Sequence, residues 1–183
     1  MSYEVALNLA WEALISLSKA KNLSVKFLGD QYDVNTTSRA IQSVSCNIPA
    51  KDFLSVLLLH YLANNLKGLP QLTNQWISFK EMPGGDPYYP AFRKRAIEPI
   101  LRKYGKNPEG LSTNLQRLSA RIIDKGDVGI LVEAFEKVPV LIEIWRGDAE
   151  FGPEVNMLFD KSIVKIFNTE DTAVLAGFVA ASV

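Results

Sequence analysis

What this chain has little of narrows its function before any motif is considered. In 183 residues there is one cysteine, Cys46, and one histidine, His60. A single thiol excludes an intrachain disulfide, a CxxC redox pair, and any iron–sulfur cluster or cysteine zinc site built from this chain alone. So sparse a use of cysteine reads as cytoplasmic. Net charge is also missing, because 20 Lys and Arg balance 20 Asp and Glu. That balance removes the global basic charge of a general nucleic-acid binder and leaves little electrostatic resistance to self-association. Long apolar runs are absent: Phe53–Leu59 and Thr172–Val183 fall well short of the ~20 residues that span a bilayer. The opening stretch carries Glu4 and Glu12 and no basic segment, unlike a secretory leader.

What is present is ordinary globular material, 48% apolar and 22% charged, enough for one domain with a sizeable core. Val5, Leu9, Ala13 and Leu17 recur every four residues, which predicts a first helix over Tyr3–Lys21 with that stripe buried and Trp11 off its centre. Leu23–Val44 changes period around Gly29-Asp30 and Asn35-Thr36-Thr37-Ser38, as an antiparallel meander does. After Pro49, Ala50–Asn65 is apolar nearly all round, so a buried helix is expected. Trp76–Lys80 alternates as a short strand, Met82–Pro87 is a stiff loop, and Ala91–Tyr104 reads as a basic helix kinked or broken at Pro99. Leu111, Leu115, Leu118 and Ile122 predict a helix over Leu111–Ile123. Strands follow at Ile130–Glu136 and Val138–Trp145, then a loop at Gly147–Glu154 and a strand or turn within Val155–Ile166. Asn168 or Thr169 caps a last helix with Glu170 and Asp171 in its first turn. The expected fold is α+β: an antiparallel sheet of about five strands, with four or five helices mainly on one face.

Four fragments stand in order along the chain: LLHYLANN (58–65), WISFKEMPGG (76–85), VPVLIEIWRGDAEFGPEVNMLFDKSI (138–163) and TEDTAVLAG (169–177). Together they resemble the uncharacterised family known as domain of unknown function 3786, over roughly residues 3–178. The long signature over 138–171 is specific, and the other fragments are individually weak. The resemblance implies anaerobic bacteria and archaea as the setting, and relatives in which a cysteine-rich iron–sulfur segment precedes this domain. Cys46 alone cannot supply that segment, so cluster binding does not carry over. The resemblance brings no catalytic residues with it.

The candidate chemistry lies between Val138 and Asp171. Asp148, Glu150, Glu154, Asp160, Glu170 and Asp171 offer oxygens for a hard cation or for acid–base work, although no EF-hand pattern is present. Glu170 and Asp171 suffice as helix-start residues, and Glu150 and Glu154 as a solvated loop. Asp148 and Asp160 stand among Trp145, Phe151, Leu158 and Phe159, so each is either at a strand end or held by a partner. His60 is the one group with an ordinary pKa near neutrality. It reads first as a core histidine, and second as an acid–base couple with Asp148 or Asp160. Pro83-Gly84-Gly85-Asp86 matches no phosphate loop and reads as a tight turn. Arg93, Lys94, Arg95, Arg102 and Lys103 read as a solvated face, and Cys46 as a small buried residue.

The leading expectation is a non-catalytic binding or accessory domain. Its surface for a protein partner or small molecule would use Trp76, Arg93, Trp145, Asp148, Glu150, Asn156 and Asp160. A small-molecule enzyme using His60 with an aspartate is the alternative, and a homodimeric scaffold the third reading. Sequence-specific nucleic acid and membrane partners are not expected.

Overall fold

The computed structural model describes residues 3–113, 115 and 118–183. Two compact units divide the chain at Pro70 and Gln71.

The N-terminal unit opens with α1 (Tyr3–Leu17), followed by β1 (Asn22–Phe27), β2 (Asp30–Asn35), β3 (Ala40–Ser43) and α2 (Asp52–Lys67). The three strands form the expected antiparallel meander, with Val25 opposite Tyr32 and Val34 opposite Ile41. Gly29, at φ 85°, takes the left-handed conformation the first turn requires. Helix α2 buries Leu54, Leu57, Leu58, Leu59, Tyr61 and Leu62 and packs on α1. Helix α1 departs from expectation, because it buries Ala10, Trp11 and Leu14. Val5, Leu9 and Leu17 of the predicted stripe are 46%, 52% and 42% exposed. Burying an indole and a leucine on the face next to the stripe removes more apolar area from water than the stripe itself offers. The four-residue spacing also drifts about 40° per step against a 3.6-residue turn, so the stripe slants off any single face.

The C-terminal unit holds a five-stranded antiparallel sheet in the order β4-β8-β7-β6-β5. Its strands are β4 (Trp76–Ser78), β5 (Ala120–Ile123), β6 (Val128–Phe135), β7 (Val138–Trp145) and β8 (Glu154–Asp160). Around it run α3 (Gly85–Phe92), α4 (Glu98–Tyr104), the short α5 (Gly110–Thr113) and α6 (Thr169–Ser182). This is the expected α+β class. Strand period assigns the two faces. Ile130, Val132, Val140, Ile142, Ile144, Met157 and Phe159 share the inner face, each at most 3% exposed. Phe92 of α3 meets Phe159 there edge-on at 6.4 Å, and Phe79 stacks on Phe92 at 4.1 Å.

Two local features differ from the expectation, and the structure resolves a third. A single turn of π-helix, Arg93–Ile97, joins α3 to α4, so the basic helix starts earlier than Ala91 and its irregularity precedes Pro99. Pro99 sits in the first turn of α4, where its missing N–H costs nothing. The Leu111–Ile123 helix is replaced by α5 and β5, and positions 114, 116 and 117 of that expectation lie outside the described residues. Arg121-Ile122-Ile123 ends in a β-branched pair that favours the extended chain. The undecided Val155–Ile166 segment is β8 followed by a 3-10 turn at Lys161–Lys165.

Candidate functional site

Asp160 ends β8 and is 2% exposed. Its Oδ1 accepts from the backbone N–H of Thr73 at 3.0 Å, the Thr73 hydroxyl at 2.9 Å and the N–H of Ser162 at 2.9 Å. Its Oδ2 accepts from the N–H of Asn74 at 2.7 Å. Burial pulls the Asp160 carboxyl upward, but the donors of Ser162 and Thr73 outweigh it and hold its pKa at about 2. A buried carboxylate with this many donors is an acceptor hub that staples residues 73–74 to the end of β8. Beside it, Lys161 N–H donates to Gln75 O at 2.8 Å, and Trp76 pairs with Asp160 in the ladder.

Asp148 is exposed and closes its own loop. Oδ1 accepts the N–H groups of Phe151 and Glu150, each at 2.8 Å, while Asp148 N–H donates to Phe151 O at 2.8 Å. Those backbone donors, Phe151 first, lower its pKa. The result is an Asx-type turn that presents Phe151, 71% exposed, at the loop's tip. Glu150 is exposed in the loop, as expected, whereas Glu154, also exposed, is the first residue of β8 and pairs with Trp145.

The remaining predicted residues fall on several elements. Trp76, Trp145 and Asn156 are half-buried on the outer face of the sheet. Arg93 is exposed at the start of the π turn and approaches Glu98 at 3.8 Å. His60 lies half-buried on α2 of the N-terminal unit, where its carbonyl accepts from Asn64 Nδ2 at 3.0 Å. Asn168 caps α6 by accepting from Asp171 N–H at 2.8 Å, and Asp171 is buried in that first turn while Glu170 is exposed. Gly84, at φ 73°, and Gly85 form the expected tight turn, since a Cβ on Gly85 would come within 1.8 Å of Phe79 O. Cys46 corrects the sequence reading: it is exposed. A short polar turn after β3 carries it, with its thiol 3.1 Å from Ser43 Oγ.

Several of these residues converge on the outer face of the sheet. Along β8 it presents Glu154, Asn156, Leu158 and Asp160, opposite Trp145, Glu143 and Leu141 of β7 for the first three. Trp145 and Trp76 therefore stand at the two ends of a strip about 20 Å long. Leu131, Leu158 and Pro139 are half-exposed on the same face. A groove of about 480 Å³ opens there, lined in part by Leu72, Arg121, Leu131, Glu133 and Pro139.

Glu143, which the sequence reading passed over, sits mid-face. It is 8% exposed and lies directly opposite Asn156. Burial raises its pKa, and only the charge of Lys125 opposes the rise. Among the described residues no side chain or backbone group donates a hydrogen bond to it. The β5–β6 turn covers it: Gly126, at φ 61°, has room for no side chain, since a Cβ would meet Ile144 O at 2.9 Å. Asp127 N–H fastens that turn to Ile144 O at 2.9 Å. Ile-Glu-Ile in a strand reads as ordinary alternation, so only the glycine of the covering turn hinted at its burial. Among the described residues no group of acids, histidine and cysteine could hold a metal ion, and no helix is long and apolar enough to cross a membrane.

Fold and face together define an α+β domain whose sheet is sealed by helices on one side and half-open on the other. The family profile described as a domain of unknown function, DUF3786, matches residues 6–182, and the chain belongs to that family. No curated protein and no solved structure matches it.

Proposed function

We propose that the chain is a non-catalytic binding or accessory domain, and that its binding surface is the outer face of the five-stranded sheet. The observation that carries this reading is the pair of half-exposed tryptophans, Trp76 and Trp145, on one face with Asn156 on the strand between them. Indoles that keep one edge in water are suited to contact another surface, and Asn156 can both donate and accept. The two acids that first suggested chemistry support the same reading, because Asp148 and Asp160 spend oxygens on backbone donors. Relatives joined to an iron–sulfur segment point to a protein partner in anaerobic metabolism, in the cytoplasm. A thermal-shift screen of the full chain against nucleotides, flavins and divalent metals, followed by pull-down with the iron–sulfur proteins of its host, tests the proposal. Stabilisation that W145A and N156A abolish supports it. Stabilisation that survives both substitutions places the site elsewhere.

An acid–base enzyme is the second reading. It adds Glu143, whose burial holds a carboxyl protonated to higher pH than usual, to the pairing of His60 with Asp148 or Asp160. Turnover that E143Q abolishes while folding is intact would favour it.

A further inference from the structure

Helix α1 keeps an apolar ridge in water. Val5 and Leu9 are 46% and 52% exposed, and Ala13 between Leu9 and Leu17 is exposed too. These residues are spaced four apart, so they form one continuous ridge of the kind that interlocks with the same ridge on another helix. Charge along the helix is ordered as well. Glu4 and Glu12 are exposed on the helix itself, and Lys19 and Lys21 are exposed just beyond its end. An acidic start and a basic finish complement each other only when two such helices run antiparallel. A twofold axis crossing the helix imposes that arrangement, and it is the commonest symmetry of soluble oligomers. A chain with no net charge offers no general repulsion against it.

We infer that α1 is a self-association surface: a second copy of this chain packs its own α1 antiparallel across the Val5-Leu9-Ala13 ridge, with Glu4 of each copy facing Lys19 of the other. The surface lies wholly in the N-terminal unit and shares no residue with the sheet face, so either reading can fail alone. A contact of one helix per copy is small, and dissociation in the micromolar range is expected.

Sedimentation velocity on the full chain tests it over a concentration series from about 1 to 200 µM, the range such an interface sets. Wild type is expected to shift from monomer to dimer, and L9E to stay monomeric throughout. E4K and K19E should each weaken the dimer by about threefold to tenfold, the scale of a surface ion pair or more, and the double variant E4K/K19E should recover it. In a C46S background, A13C should form a disulfide-linked dimer on mild oxidation, because pairing Glu4 with Lys19 puts the axis between residues 11 and 12 and brings the two exposed Ala13 positions close together. A monomer at all concentrations overturns the inference, as does a dimer that survives L9E or growth beyond a dimer.

Discussion

Thr73 donates to Asp160 twice, from its backbone N–H at 3.0 Å and its hydroxyl at 2.9 Å, across 87 positions of sequence. With Asn74 N–H on the other oxygen, at 2.7 Å, this contact fixes where the chain enters the edge of the sheet. Replacing the acceptor leaves buried donors facing an amide. D160N is therefore expected to lower stability by about 2–4 kcal/mol, and T73A by about 1 kcal/mol, in urea denaturation. If D160N were as stable as wild type, Asp160 would have to be kept for something other than the fold.

The same carboxylate sets an acid limit. Its folded pKa of about 2 lies below the ordinary aspartate value of about 3.9, so the folded state favours the ionised form. The stability it supplies is complete above about pH 4 and is lost as pH falls through 2, a total of about 2.5 kcal/mol. Denaturation curves taken between pH 5 and 2 should show wild type losing its advantage over D160N within that window.

Glu143 has the opposite sign. Its pKa is raised by burial, so the folded state prefers the protonated acid and stability falls as pH climbs above the ordinary glutamate range. E143Q should melt at or above the wild-type temperature at pH 7, and the difference should vanish below about pH 4, where glutamate is protonated in both states. Differential scanning calorimetry at the two pH values reads this directly. A variant less stable than wild type at pH 7 would mean that the ionised carboxylate is stabilised by something bound.

Gly85 tests the turn before α3. A methyl group there would collide with Phe79 O, 1.8 Å from the Cβ position, and the backbone cannot yield without moving Phe79 from its stack on Phe92. G85A should cost about 3 kcal/mol, the upper range for overpacking, whereas G152A, with open space around its Cβ position, should change stability by less than about 0.5 kcal/mol.

Cys46 gives a rapid check on the N-terminal unit. An exposed thiol should titrate with a disulfide reagent in the native protein to one equivalent, with no added denaturant. A thiol that reacts only after unfolding would contradict the exposed turn.

The sheet and most helices were legible because their signals are periodic: the meander, the long run of β7, and the Asn168 cap of α6 all stand where pattern and capping chemistry put them. The failures share one cause, which is that the sequence states what a residue prefers but not which neighbour competes for the same place. Val5, Leu9 and Leu17 lost the buried face of α1 to Trp11. Leu118 and Ile122 fitted a helix period as well as a strand, and the pairing of Ile122 with Ile130 decided between them. The apolar neighbours of Asp148 and Asp160 marked each as an acid at a strand end or held by a partner, which is how they stand; only the backbone donors, which come from loops, were not legible. Glu143 was missed because its burial comes from a turn folding over the strand.

The link between Asp160 and residues 73–74 also governs how the chain behaves while it is being made. Strand β4 has β8 as its ladder partner, so the segment from Thr73 to Ser78 emerges from the ribosome with nothing to bind. At roughly 5–20 residues per second, the 87 positions from Thr73 to Asp160 take on the order of 4–17 s to synthesise. Trp76 waits through that interval with its strand unpaired, a target for chaperones or for another nascent chain.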